Sequence, residues 1–473
     1  MIFNSFQFIW LFPLIFIIYW VCRRFNRPHF TLSKYILLAI SYGVYMQWSV
    51  FFGLVLLFVS AITFTGALAI ERHKKQRRLI IWVSVLATLA PLLVCKYFNF
   101  ISRSGASVLA WIGVDATVPE ISFLVPLGLS FYTFQALGYL WDVYRGKIQA
   151  ETSAVNYLLF VAFFPQILCG PISKAESLLP QLRTPRIFSY SQGVSGLRLI
   201  LWGLFLKTVV ADRLGLYVDT IYADYTRYSG ISSIVAAVFY SLQIYGDFAG
   251  YSYIAAGAAR LLGIDLIINF RRPVFAQSIS DFWKRWNISL TKWLTDYVYI
   301  PLGGSRKGNL RTYINIMITF LVSGIWHGAN WTFIFWGLLH GGCQVVEKAV
   351  GINKVQSHGI VRLLRTAATF IIVTIAWVYF RMPSIESANA LIAHMTAAGS
   401  LYIETQVFGY GSIGVIVLLV LEYLMEIRPR LYRSLSLGGG AVRILRWAVY
   451  LNLLALIVLT GVLDSGQFIY VMF

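Results

Sequence analysis

Residues 278–342 read "SISDFWKRWNISLTKWLTDYVYIPLGGSRKGNLRTYINIMITFLVSGIWHGANWTFIFWGLLHGG". The first part is basic and rich in tryptophan, and the second is a long apolar run with a histidine inside it. Placed on a helix at about 100° per residue, Phe282, Trp283, Trp286, Leu290, Trp293 and Leu294 fill an arc of about 120°, with Lys284, Arg285 and Lys292 opposite. That pattern predicts one amphipathic helix lying in the membrane interface, opened by a capping box of Ser278 and Asp281. Asn287 projects just beyond the apolar arc, where it is either a polar boundary residue or a group turned to a protein interior. Next come Gly303, Gly304, Arg306 and Lys307. They either present backbone amides and charge to a phosphate or form an ordinary connection, since the GK[ST] ending of a Walker loop is absent.

The residue that needs a reason is His327, in "FLVSGIWHGANWTF". No charged residue stands between Tyr313 and Gly342, so the imidazole is expected at membrane depth, where ionisable groups are costly and mark functional sites by default. Desolvation keeps such a ring neutral and able to accept a proton, which makes it a candidate general base. The alternative is a hydrogen-bonding link between packed helices. His340, thirteen residues on, falls about 140° away around the same helix, so the two are not expected to share a ligand site. With no further histidine or acidic residue close in sequence, no metal site is expected.

The rest of the chain agrees with a membrane setting. Of its 473 residues, 58% are hydrophobic and 12% charged, and the mean hydropathy is +0.71. Apolar runs this long exclude the short alternating strands of a β-barrel, so the expected fold class is all-α, a polytopic helical membrane protein. The 39 Lys and Arg against 19 Asp and Glu give +20, a balance that suggests nucleic acid in a soluble protein. Here the basic residues sit in short loops between apolar runs, as loops held on the cytoplasmic side do, and no nucleic-acid partner is expected. The same charge is also available to an anionic cofactor or to lipid head groups. Cys22, Cys95, Cys169 and Cys343 stand singly, without CxxC or Cys/His spacing, and read as small hydrophobes.

In chain order, Phe6–Cys22 reads as a retained helix and not a signal peptide, followed by Arg23, Arg24 and Arg27. Two more apolar stretches, Tyr35–Trp48 and Phe51–Ile70, lead to "ERHKKQRR" at 71–78, which places both basic loops inside and the amino terminus outside. Leu79–Phe100 is expected to break at Pro91, and Pro126, Gly128 and Gly138 predict a poor helix in "FLVPLGLSFYTFQALGYLWDVYRGK". The segment 156–183 is too short before Pro165, and basic at its far end, to cross, and reads as a re-entrant or half-buried element. Ser195–Asp219 and Ile231–Leu262 are helical, and Asp247 in the second must face protein or water. Leu363–Phe380, Gly411–Met425 and Arg446–Leu463 complete the spans, with a shorter element at Ser387–Ala398.

The motifs "DFWKRWNISLTKWLTDYVYIPLGGSRKG" and "GIWHGANWTFIFWGLLHG" closely resemble the membrane-bound O-acyltransferases, in particular the bacterial branch that O-acetylates exported polysaccharides. "PLGLSFYTFQALGYLWDVYRG", "FFPQILCGPI", "YGDFAGYS" and the closing "GQFIYVMF" extend the resemblance over nearly the whole chain. It implies a single integral-membrane domain over 1–473 with a catalytic core at about 120–345, and a funnel of about eleven transmembrane helices plus re-entrant and interfacial ones. The resemblance matches His327 to the catalytic histidine and Asn287 to the second polar residue of the active region, where many bacterial relatives carry histidine. Tyr253 departs from the acidic residue that often follows "GYS".

The expected chemistry moves an acetyl group from a cytoplasmic thioester, acetyl-CoA, across the membrane toward a polysaccharide such as alginate, peptidoglycan or cellulose. In relatives an extracytoplasmic O-acetyltransferase partner is usually the next acceptor. Trp286, Trp326 and Trp331 are expected to line the site, Lys284, Arg285, Arg306 and Lys307 to hold the donor phosphates, and no cofactor to be permanently bound. The rivals are D-alanyl transfer from a carrier protein towards teichoic acid, a transporter, and a non-catalytic export subunit that tolerates loss of His327.

Overall fold

The computed structural model describes residues 6–25, 31–114, 117–121, 124–352, 357–462 and 469; Arg27 and most of the closing "GQFIYVMF" lie outside them. Among the described residues the chain is helical and without strands. They divide into two compact units, Gln7–Gly196 with Ala258–Ile267, and Leu197–Gly257 with Ile268–Phe473.

The first part of the chain forms α1 (Phe6–Phe25), α2 (Thr31–Met46), α3 (Val50–Arg72), α4 (Arg77–Leu92), α5 (Phe98–Trp111), α6 (Leu129–Tyr144), α7 (Ala154–Ala162) and α8 (Ala175–Arg183). The helix carrying Pro91 does not stop there; it continues through a π-helical turn at Leu93–Tyr97 into α5. Widening the turn after a proline accommodates the hydrogen bond its missing N–H removes. The stretch expected to be a poor uniform helix is non-helical from 124 to Gly128 and continuous only beyond it. Pro126 and Gly128 precede α6, Gly128 opens it at φ +74°, and Gly138 is absorbed within it. The expected re-entrant segment is α7, nine residues long, followed by non-helical chain at 163–174 that is almost entirely buried. Exposed backbone is not tolerated at membrane depth, so its polar groups need internal partners. The Phe164 amide donates to Ser41 Oγ at 3.2 Å, and the Ser173 amide donates to Gln135 Oε1 at 3.3 Å.

The remainder forms α9 (Tyr190–Leu204), α10 (Asp212–Ala223), α11 (Gly230–Leu261), α12 (Ile279–Arg285), α13 (Ile288–Leu294), α14 (Gly308–His327), α15 (Trp331–Val350), α16 (Gly359–Arg381), α17 (Ile385–His394), α18 (Ser412–Ile427), α19 (Pro429–Leu437) and α20 (Ala441–Thr460). In the second unit a π-helical turn at Phe205–Ala211 carries Lys207 into the core, between Asp247 at 2.6 Å and Asp212 at 2.7 Å. Asp247 thus faces protein, and its other oxygen accepts the Ile469 amide at 2.7 Å.

Among the described residues, eight helical stretches are long and apolar enough to cross a membrane. That is fewer than the expected eleven or so. α2 and α6 have only sixteen residues each, about 24 Å of helix, while α14 and α15 are twenty long but carry Arg311, Asn315, His327 and His340.

Candidate active site

The site belongs to the second unit and begins with the α14–α15 hairpin. Two glycines let these helices approach: a Cβ on Gly324 would lie 2.4 Å from the Phe333 carbonyl oxygen, and one on Gly337 would lie 2.4 Å from that of Phe320. His327 is the last residue of α14, and Asn330 caps α15 by accepting the Thr332 amide at 3.0 Å. The single helix expected to carry both histidines is therefore two antiparallel ones. Turning the chain at 328–330 brings His327 and His340 to the same aromatic cluster. Ring centroids of both lie 4.9 Å from Trp336.

His327 is 4% exposed. Trp326 stands edge-on to it at 4.8 Å and Phe380 at 5.3 Å. Trp336 stacks on Trp377 at 5.6 Å, and Trp377 meets Trp286 at 5.1 Å. The ring path therefore runs from the histidine to the residue next to Asn287. Trp331 stands on the outside of α15, 56% exposed.

Asn287 occupies a break. The expected amphipathic helix over 278–294 is α12 and α13, separated by Trp286 and by Asn287 at φ +40°, ψ +56°. Asparagine tolerates this left-handed conformation better than other residues with a Cβ. The α13 amides are received by Asn269, whose carbonyl accepts from Ile288 at 2.9 Å and whose side chain accepts from Ser289 at 3.0 Å. At the other end, Ser278 Oγ accepts the Asp281 amide at 3.0 Å. The second half of the expected capping box is displaced: Asp281 accepts from Gln277, and Glu347 of α15 takes the Ile279 and Ser280 amides. Asn287 is completely buried, and neither polar atom of its amide has a hydrogen-bond partner among the described residues; the same holds for the indole N–H of Trp286 and of Trp336. Buried polar groups are almost always satisfied, so these atoms are candidates for contact with a bound polar group.

A cavity of about 270 Å³ lies between α12, α13, α14, α15 and the π-helical turn Thr295–Tyr299. Of its lining residues Lys284 is exposed and Lys348 half-buried, whereas Trp283, Phe320 and Ser323 are buried. Ser323 is four residues before His327 on α14, about 6 Å along the axis, and its buried hydroxyl has no hydrogen-bond partner among the described residues. Arg306 and Lys307 are exposed in the adjoining loop, tied to the cavity wall through Ser305, which contacts Tyr299 at 2.8 Å and Lys348 at 3.3 Å. Arg285 is elsewhere. Burial disfavours its charge, but Asp281 at 2.8 Å and Glu426 at 3.0 Å hold the guanidinium above its usual range, and it takes no part in the cavity wall.

Trp336, Trp377 and Phe380 join the ring cluster around His327, with His340 on its far side against Trp336, a grouping that no sequence pattern signals. Trp377 and Phe380 come from α16, and only folding reveals which of fifteen tryptophans meet.

A helical membrane protein with a buried histidine in an aromatic cage, beside a cavity lined in part by lysines, has the groups needed for acyl transfer to a hydroxyl. The chain belongs to the membrane-bound O-acyltransferase family, whose profile matches residues 147–384, and it is an O-acyltransferase. It is 35% identical over 408 residues to a probable alginate O-acetylase AlgI of Pseudomonas syringae pv. tomato, covering 84% of this chain and 76% of that protein. A peptidoglycan O-acetyltransferase of Helicobacter pylori is 33% identical over 427 residues, 84% and 80% of the two chains. A teichoic acid D-alanyltransferase of Bacillus subtilis is more distant, 25% identical over 278 residues, 57% and 68% of the two chains.

Proposed function

We propose that the protein takes an acetyl group from cytoplasmic acetyl-CoA and passes it across the bacterial inner membrane toward an exported polysaccharide, through an extracytoplasmic O-acetyltransferase partner. The observation that carries this reading is the cavity: Lys284 and Lys348 give its lining charge, its buried lining is mostly apolar, and Ser323 in that lining stands four residues before His327. A CoA thioester has the same polarity. Lys284 and Lys348, with Arg306 and Lys307 beside them, meet its phosphates, and the acyl end enters toward Ser323.

His327 accepts the proton of the acceptor hydroxyl as its oxygen attacks the thioester carbonyl. A C–O bond forms, the C–S bond breaks, and the proton passes to the departing thiolate, so His327 ends neutral. The open N–H donors of Asn287, Trp286 and Trp336 stabilise the oxyanion or orient the reactants, and the aromatic cage excludes water that would hydrolyse the thioester. The relatives named for alginate and peptidoglycan O-acetylation support a polysaccharide as the final acceptor; Trp377 and Phe380, in the ring cluster around His327, lie beyond the expected core of about 120–345.

The test uses protein purified in nanodiscs with labelled acetyl-CoA, comparing the wild type with an equally folded His327→Ala variant. Thiol release and transfer of label to a co-purified partner by the wild type alone are expected. A folded wild type that neither binds nor consumes acetyl-CoA with its partner present overturns the donor assignment and favours a carrier-protein donor. Full activity in His327→Ala overturns the catalytic role.

A further inference from the structure

We propose that Trp283, held in place by His340, is the stop that limits the length of acyl group this protein transfers. The inference rests on reading the cavity between α12 and α15 as the donor site. Trp283 is a buried residue of that cavity's lining, and its ring stands edge-on to Trp336 at 5.6 Å and to Phe320 at 5.4 Å. Trp336 in turn touches His327. One indole therefore stands between the donor cavity and the ring that backs the base.

Its position is imposed by a hydrogen bond. The indole N–H donates to His340 Nδ1 at 3.4 Å, inside a core where His340 is wholly buried. Because Nδ1 accepts, the proton of the neutral imidazole is on Nε2, which has no hydrogen-bond partner among the described residues. The transfer chemistry derived above does not use His340, and His340 does not line the cavity. What it supplies is an acceptor for a buried N–H that is costly to leave unpaired, and this fixes the tryptophan rotamer. A rigid aromatic floor excludes added methylenes, and one methylene misfitted in an apolar pocket changes kcat/KM by roughly 10-fold to 200-fold. The bonds made and broken are the same for any acyl chain; only the fit of the tail changes.

The experiment measures thiol release from acetyl-, butanoyl- and hexanoyl-CoA by the full-length protein in nanodiscs, with its co-purified acceptor. The wild type is expected to prefer acetyl by at least about tenfold. Trp283→Ala should raise the hexanoyl-to-acetyl ratio of kcat/KM by at least about tenfold, and Trp283→Phe should shift the butanoyl ratio in the same direction. His340→Leu should shift the ratio as well, while His340→Asn, which keeps an acceptor near the Nδ1 position, should restore the wild-type ratio.

If Trp283→Ala does not fold, the phenylalanine variant and the two His340 variants decide. Folded variants with the wild-type chain-length ratio overturn the proposal, as does a wild type that accepts hexanoyl as well as acetyl. Equal shifts in His340→Leu and His340→Asn overturn the role of His340. A wild type that releases thiol from none of the three removes the donor reading, and this inference with it. That result is distinct from an unchanged ratio in an active enzyme.

Discussion

The side-chain oxygen of Asn269 accepts the backbone N–H of Ser289 at 3.0 Å, so a residue eighteen positions before Asn287 caps the helix that Asn287 opens. The Asn269 carbonyl takes the preceding amide, of Ile288. The left-handed turn at Asn287 is thus held from a separate loop. Asn269→Ala is expected to lower stability by about 1 kcal/mol, as loss of a helix cap does, and to reduce thiol release several-fold because the turn loosens. Asn269→Asp should retain the cap. Thermal unfolding in detergent, followed by tryptophan fluorescence, measures the first effect, and acetyl-CoA turnover the second.

Asn287 separates backbone from chemistry. Glycine adopts φ +40° freely, so Asn287→Gly should melt near the wild-type temperature while losing transfer at least about tenfold, for want of the amide. Asn287→Ala should lose the same activity and also about 1 kcal/mol of stability, the cost of a Cβ in the left-handed region. Equal activity in the glycine variant would assign Asn287 to the turn alone.

Glu426, near the end of α18, receives Arg272 at 2.8 Å, Arg285 at 3.0 Å and Arg362 at 3.3 Å. Arg272 and Arg285 flank the two segments that build the Asn287 turn. Glu426→Ala leaves clustered, partly buried guanidinium groups without this carboxylate, and should cost about 2 kcal/mol. Glu426→Gln should recover part of it. Unfolding of the three proteins at one ionic strength decides the matter, and equal melting temperatures would refute it.

Gly324→Ala places a methyl group against the Phe333 carbonyl, and backbone has little room to yield. The hairpin must open, at a cost of about 1–3 kcal/mol. Because His327 stands one turn later on the same helix, turnover should fall more steeply than stability does. Gly342→Ala, where a Cβ would meet nothing within 4 Å, is the control and should behave as wild type.

Lys207→Met removes the cation between Asp212 and Asp247, leaving two buried carboxylates near each other. Breaking such a set costs about 3–5 kcal/mol, enough to lower folded yield. Replacing Asp247 as well, in Lys207→Met/Asp247→Asn, should recover part of the loss.

Composition and hydropathy by themselves determined the membrane class and the positions of most long helices, because desolvation of apolar side chains depends on local sequence. The placement of His327 in an uncharged run was legible for the same reason, and so was its candidacy as a base. Helix periodicity placed Asn287 at the edge of a continuous amphipathic helix, and there it misled. The break at 286–287 is stabilised by Asn269, a tertiary partner invisible to an angular plot. Likewise His340 was set apart from His327 by counting turns along one helix. Gly324, Gly337 and the reversal at 328–330 instead bring both histidines against Trp336. Arg285 and Lys284 are adjacent and alike in charge, yet one is held by Glu426 and the other lines the cavity. Local pattern specifies which residues are apolar, charged or able to turn; which of them meet is decided by packing between segments far apart in the chain.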